Sequence, residues 1–205
     1  TITSIFSQQK GERKEISVAG GAQISEFELS ADNYEANKHY FLNYYHRNNY
    51  DYAMKSLPLV NSGVQITRIE VWVTNRTNDY TDTRNIIAFT DLGENTNIEF
   101  PSNYGSSVAD NLPRNNSNGL YDYVSANPSV RSFVSASSAL SSGTYPMQQA
   151  VHYEKLENAR MLLPTQYTYN AQLGFISLNQ SLNNDEVLAV AYQYTHLGST
   201  YQVGE

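Results

Sequence analysis

The sequence predicts an α+β protein: an antiparallel, sandwich-like β-sheet with several helices packed on it. Three stretches carry that expectation. ITRIEVWVTNR, residues 66–76, alternates apolar and polar side chains. EVLAVAYQYT, residues 186–195, is apolar on both sides and stands between two turn signals, as a covered central strand does. Between residues 34 and 57 the apolar side chains instead recur every three or four positions, which is the period of a helix.

The elements follow in chain order. EISVAGGAQISEFELS, residues 15–30, alternates on either side of Gly20-Gly21 and predicts two short strands joined or bulged there. Tyr34, Lys38, Phe41, Leu42 and Tyr45 then share one helical face, with Asp32 upstream as an N-cap. A second helical piece holds Tyr50, Ala53, Met54 and Leu57 and closes at Pro58, with Arg47-Asn48-Asn49 separating or bending the two. In the strand at 66–76, Ile69, Val71 and Val73 point to one side, and Arg68, Glu70, Trp72 and Arg76 to the other. The polar run NRTNDYTDTRN connects it to a return strand, NIIAFTDLG at 85–93, expected antiparallel beside it.

Residues 94–118, rich in Asn, Ser and Pro, read as an irregular excursion. Short helical turns follow at 119–140, with Leu120, Tyr123 and Val124 in one and Val130, Phe133 and Val134 after Pro128 in another. VHYEKLENARML, residues 151–162, is expected to be a helix with Val151, Leu156, Ala159 and Leu163 inward, ended by Pro164. The tail predicts a strand at 175–178, a turn at Asn183-Asn184-Asp185, the long strand at 186–195, a turn at Leu197-Gly198-Ser199 and a last strand from Thr200.

Composition narrows the function classes. The 205 residues hold 20 acidic and 13 basic side chains, a net charge of −7, and no basic run that would track a phosphate backbone, which argues against nucleic acid as a partner. With no cysteine, disulfides, thiolate nucleophiles and cysteine-ligated metals are excluded. No apolar run approaches the roughly 18 residues of a membrane-spanning helix. Polarity comes largely from amides and hydroxyls, and 17 tyrosines supply rings that pack while their hydroxyls seek partners, as on half-exposed sheets and contact surfaces. The chain starts without Met and stops on a strand-like run, the expectation for a piece of something longer.

No catalytic, cofactor or metal site is expected. His39, His46, His152 and His196 lie on different elements, and a pair such as His46 with Asp51 falls short of the three or four ligands a metal needs. Asp79 and Asp82 lack the acidic ladder and glycine of a calcium loop and read as an ordinary turn. There is no G-x-S-x-G elbow, and Gly20-Gly21 lacks the further glycines of a phosphate cradle. The candidate contact surface is Trp72 with Arg68, Glu70, Tyr80 and Tyr104. In one reading a helix lies over Trp72, and the stems of Arg68 and Glu70 rim it. In a second, Trp72, Tyr80 and Tyr104 form an exposed platform for a sugar or an extended polypeptide. In a third, that face is buried against another part of a larger protein.

Several long blocks also resemble a known family: GGAQISEFELSADNYEANKHYFLNYYHRNNYDYA, ITRIEVWVTNRTNDYTDTRNIIAFTDLGE, YEKLENARMLLPTQYTYNAQLGFISLNQSLNNDEVLAVAYQYT and the closing YQVGE. They are similar, in the same order, to the SprA/Sov family of large outer-membrane proteins of gliding and type 9 secretion in Bacteroidetes. The resemblance implies a parent that is a very large transmembrane β-barrel exporting proteins from the periplasm. Residues 1–205 would then be a single extra-membrane segment, lacking the ten-residue alternation of lipid-facing strands. Its role would be structural or interactive, on the periplasmic or cell-surface side. Partners would be other parts of the same barrel protein, secretion accessory proteins or cargo polypeptide. The alternative is a β-sandwich carbohydrate-binding module.

Overall fold

Twelve elements stand in the computed structural model, which describes residues 30, 33–95 and 110–205. The strands expected at 15–30 lie outside these residues except for Ser30, as does most of the 94–118 excursion. The fold is that of the unit Glu35–Glu205. Its strands are β1 (His39–Phe41), β2 (Val64–Val73), β3 (Thr83–Phe89), β4 (Tyr153–Met161), β5 (Tyr167–Asn170), β6 (Phe175–Leu178), β7 (Leu188–His196) and β8 (Ser199–Val203). Its helices are α1 (Tyr44–Met54), α2 (Leu120–Ala126), α3 (Pro128–Arg131) and α4 (Ala136–Ser142). This is the mixed α+β fold that the periodicity predicts, with two open antiparallel sheets.

The larger sheet runs β3-β4-β2-β7-β8 and the smaller β1-β6-β5. β2 is central: Val71 lies opposite Val190 and Trp72 opposite Ala189 on β7, while Trp72 and Val73 also meet Met161 and Arg160 of β4. Val64 and Ile66 are buried on the same side as Ile69 and Val71 because the register shifts between Ile66 and Arg68, one extra residue restoring the parity of the strand. Against this face Val71 and Val73 pack on Tyr167, Ile176 and Leu178 of the small sheet. Farther along the same face Ile87, Phe89 and Tyr153 meet the helical cluster of Leu120, Val130 and Leu140. The small sheet and the short helices thus cover neighbouring areas of one side of the large sheet.

Three expectations are corrected. Residues 151–162 do not form a helix: Tyr153–Met161 is strand β4. Its buried residues, Tyr153, Leu156 and Ala159, do recur every three positions. That spacing arises because the strand is covered on both sides and is bulged near Asn158, whose φ of 48° breaks the two-residue alternation. The return strand does not pair with β2 either. The connection at 74–82 carries the chain past one strand width, and β4 fills the gap, paired to β2 on one side and β3 on the other.

Around Phe41 the helical spacing is overridden by pairing. His39, Tyr40 and Phe41 form β1 against Ser177, Ile176 and Phe175. A single helix follows, with Arg47, Asn48 and Asn49 inside it and its end at Met54, four residues before Pro58. β5 is an element the sequence reading lacked; it turns into β6 through Gly174, at φ +66°. There the imidazole of His46 packs so closely that a Cβ on residue 174 would lie 2.2 Å from the ring.

Candidate interaction surface

Alternation along β2 places Arg68, Glu70 and Trp72 on the side away from the small sheet, as the sequence predicts. Their cross-strand neighbours on β7 are Gln193, Ala191 and Ala189, so Glu70 and Trp72 stand beside small side chains. Arg68 does not reach across the sheet. Its guanidinium donates to Glu70 two residues along the same strand, leaving the Arg68 side chain 72% exposed. On this side β4 contributes Leu156 and Ala159, and β3 contributes Arg84, Ile86 and Ala88.

Trp72 is 6% exposed, packed among Leu156, Ala159 and Ala189. The Arg84 guanidinium lies over the indole at 5.3 Å from the ring centroid, a cation–π arrangement. The tyrosine-rich helix α1 is on the opposite side, where His46 meets the rings of Tyr192 and Tyr194. Trp72 is therefore enclosed by its own sheet and Arg84, with no helix of the described residues laid on it. Tyr80 is 63% exposed in the β2–β3 connection. Tyr104 lies outside the described residues. Glu70, Trp72, Arg84, Ile86, Phe133 and Glu205 line parts of a cleft of about 770 Å³.

The neighbouring loop is fixed by polar groups that sequence reasoning missed. Glu94 is buried, and one carboxylate oxygen accepts the Asn43 side-chain amide at 2.6 Å and the Tyr44 backbone N–H at 3.0 Å. That carboxylate satisfies the first turn of α1, because the Asn43 side chain at the N-cap position makes no capping bond and instead accepts the Tyr192 hydroxyl. Burial pushes the Glu94 carboxyl up from its ordinary value, against the two hydrogen bonds that favour its charge; nearby Asp91 raises it further. The buried Asn118 amide donates to the carbonyls of Asp91 and Glu94 at 2.9 and 2.8 Å, while its oxygen accepts the Leu120 N–H. The turn that carries Glu94 is thereby joined to the start of α2. Apart from the local Asn118–Leu120 bond, these partners are 24 to 149 residues apart, and no local pattern marks them.

At the far edge of the large sheet, the Asn115 backbone N–H donates to the Gln202 carbonyl at 2.9 Å, and the Asn115 side chain bonds both the N–H and the carbonyl of Gly204. Next to it Glu205 accepts two bonds from Arg131, at 2.7 and 2.8 Å, and one from the Tyr121 hydroxyl, which hold its carboxyl below the usual range.

The four histidines stay apart, and among the described residues no three His, Asp or Glu side chains gather as metal ligands do. His46 is buried with Nε2 unpartnered. Asp79 caps its own turn, accepting the Thr81 N–H at 2.9 Å. An apolar floor edged by guanidinium and carboxylate groups is suited to noncovalent contact. Among the described residues no helix is long and apolar enough to cross a membrane.

No curated protein matches the chain. Residues 1–118 match the family model SprA_N, described as motility related/secretion protein. Because that match spans more than half of the 205 residues, the chain belongs to this family of motility and secretion proteins, whose role is structural or interactive rather than enzymatic.

Proposed function

We propose that the chain is a non-catalytic, extra-membrane segment of an outer-membrane translocon for protein secretion and gliding. It would hold or shape the translocon by docking to other parts of the same large barrel protein, to secretion accessory proteins or to cargo polypeptide. The family match over residues 1–118 carries this reading. The surface fits it: Tyr80 and Val134, 63% and 91% exposed, offer apolar contact on connections rather than in a walled pocket. The glycan-binding alternative calls for an open indole, whereas Trp72 is buried beneath Arg84.

The test is a photo-crosslinking amino acid at Tyr80 in the full-length parent, in cells. The reading expects specific adducts with translocon components or exported protein. Labelling no stronger than at a buried control position such as Leu140 would overturn it.

A further inference from the structure

The two edges of the large sheet differ. Beyond β8 the end of the strand is closed by Asn115, which occupies the Gln202 carbonyl and both backbone groups of Gly204. Beyond β3 no described strand pairs; its one strand neighbour is β4. In an antiparallel pair, alternate residues turn their N–H and C=O away from the partner, so a strand of this length leaves a row of backbone donors and acceptors facing outward. β1 and β5, at the edges of the small sheet, have only three and four residues. β3 has seven, and its second half is the apolar run Ile86, Ile87, Ala88, Phe89, each half-buried.

Nor does β3 carry the usual safeguards of an open edge. It has no proline, and no lysine points outward from it. Its one charged residue is Arg84, exposed, with its guanidinium stacked on Trp72 and no ion pair or side-chain hydrogen bond among the described residues. An unsatisfied backbone row recognises another backbone in extended form, and an unpaired guanidinium at one end recognises a carboxylate.

We propose that the outer edge of β3 is a docking site for an extended polypeptide segment of another protein, which joins the sheet as a sixth strand. Its alternate side chains are apolar, and an acidic residue lies level with Arg84. Those side chains lie on the same face as the acidic residue and continue the surface of Arg84, Ile86 and Ala88 beside Trp72. The inference rests on the interaction role proposed above and supplies the chemistry of the partner.

The probe is a nine-residue peptide alternating valine and threonine around one central glutamate, blocked at both ends, titrated into the isotope-labelled 205-residue chain. Amide hydrogen exchange is read residue by residue. Every second amide of β3 is expected to exchange fast in the free chain and at least tenfold more slowly with peptide bound. A peptide N-methylated at alternate amides is expected to bind at least tenfold more weakly, because it cannot complete the ladder. Arg84→Glu is expected to weaken the glutamate peptide and to favour one with lysine at its centre; Arg84 is exposed, so the exchange should leave the fold intact.

Absence of protection at about 1 mM peptide, a limit reaching interactions of about 4 kcal/mol, would overturn the proposal. So would equal binding of the N-methylated peptide. Protection already present in the free chain would assign the edge to the chain itself, and protection that grows with protein concentration would assign it to a second copy; either result overturns a foreign strand. Failure here with Tyr80 crosslinks intact removes the strand site alone, whereas binding here without Tyr80 crosslinks removes the Tyr80 contact alone.

Discussion

Glu94 accepts the backbone N–H of Tyr44 at 3.0 Å across fifty residues of chain, so a carboxylate from the β3 side of the fold terminates helix α1. Glu94→Ala should cost about 1–3 kcal/mol, since it strands the Tyr44 and Asn43 donors in a buried place. Glu94→Gln keeps an acceptor and removes a buried charge, so it should cost clearly less. The wild-type pH dependence has a definite sign. The folded carboxyl holds its proton more tightly than the unfolded one, so this group's contribution weakens as pH rises through the range just above its ordinary value of 4.5. The stability difference between wild type and Glu94→Gln, read by urea unfolding from pH 4 to 7, should show that slope, because every other titrating group is common to both proteins.

His46 titrates in the opposite sense. Burial lowers its pKa to about 4 from 6.5, so the unfolded chain takes up the proton first. Stability from this group is full above pH 6.5 and is lost as pH falls toward 4, by about 3 kcal/mol in all. His46→Phe, measured beside wild type by the same urea titrations, should remove the acid-side loss; an unchanged acid limb would contradict neutral burial of the ring.

Gly174 should tolerate no side chain. Its φ is +66°, and a Cβ would lie 2.2 Å from the His46 ring, so strain and overlap act together. Gly174→Ala is expected to lower stability by about 2 kcal/mol or more, and pairing it with His46→Ala should recover part of that loss. Thermal denaturation of the two single variants and the double variant measures the recovery.

Trp72→Ala is expected to destabilise by about 3–5 kcal/mol, as loss of a buried indole does. Arg84→Ala should cost only about 0.5–1 kcal/mol, the scale of an exposed cation–π contact. Calorimetric titration with glycans should be flat for wild type. Sugar binding lost in a folded Trp72→Ala variant would restore the carbohydrate-binding reading.

The fully buried Tyr194 donates its hydroxyl to the Pro113 carbonyl at 2.8 Å, tying β7 to the loop before α2. Tyr194→Phe leaves that acceptor without its donor. A loss of about 1–2 kcal/mol in chemical denaturation is expected.

Much of this architecture was legible where one face of one element was buried. The alternation of β2 placed Val71 inward and Trp72 on the other side, and Phe175–Leu178 was readable as a strand because turn residues bracket it. Reading failed where burial came from two sides. In β4, Tyr153 belongs to the helical cluster, Leu156 and Ala159 to the Trp72 cluster, and the bulge between them turned a strand into a three-residue pattern. Pairing order was equally hidden: nothing local says that β4, eighty residues downstream, separates β2 from β3. Of the candidate surface, the shared side of Arg68, Glu70 and Trp72 could be read from parity. The stacking of Arg84 on Trp72 could not, since it depends on β4 spacing their strands.

Asn115 gives the sheet a direction. With the Gln202–Gly204 end of one margin closed by a loop and no described strand beyond the other, the two rims are not equivalent, and lengthening the ladder copy by copy is disfavoured. A strand that joins this sheet is thus directed to the β3 rim, so the domain is suited to ending a β-array rather than propagating one.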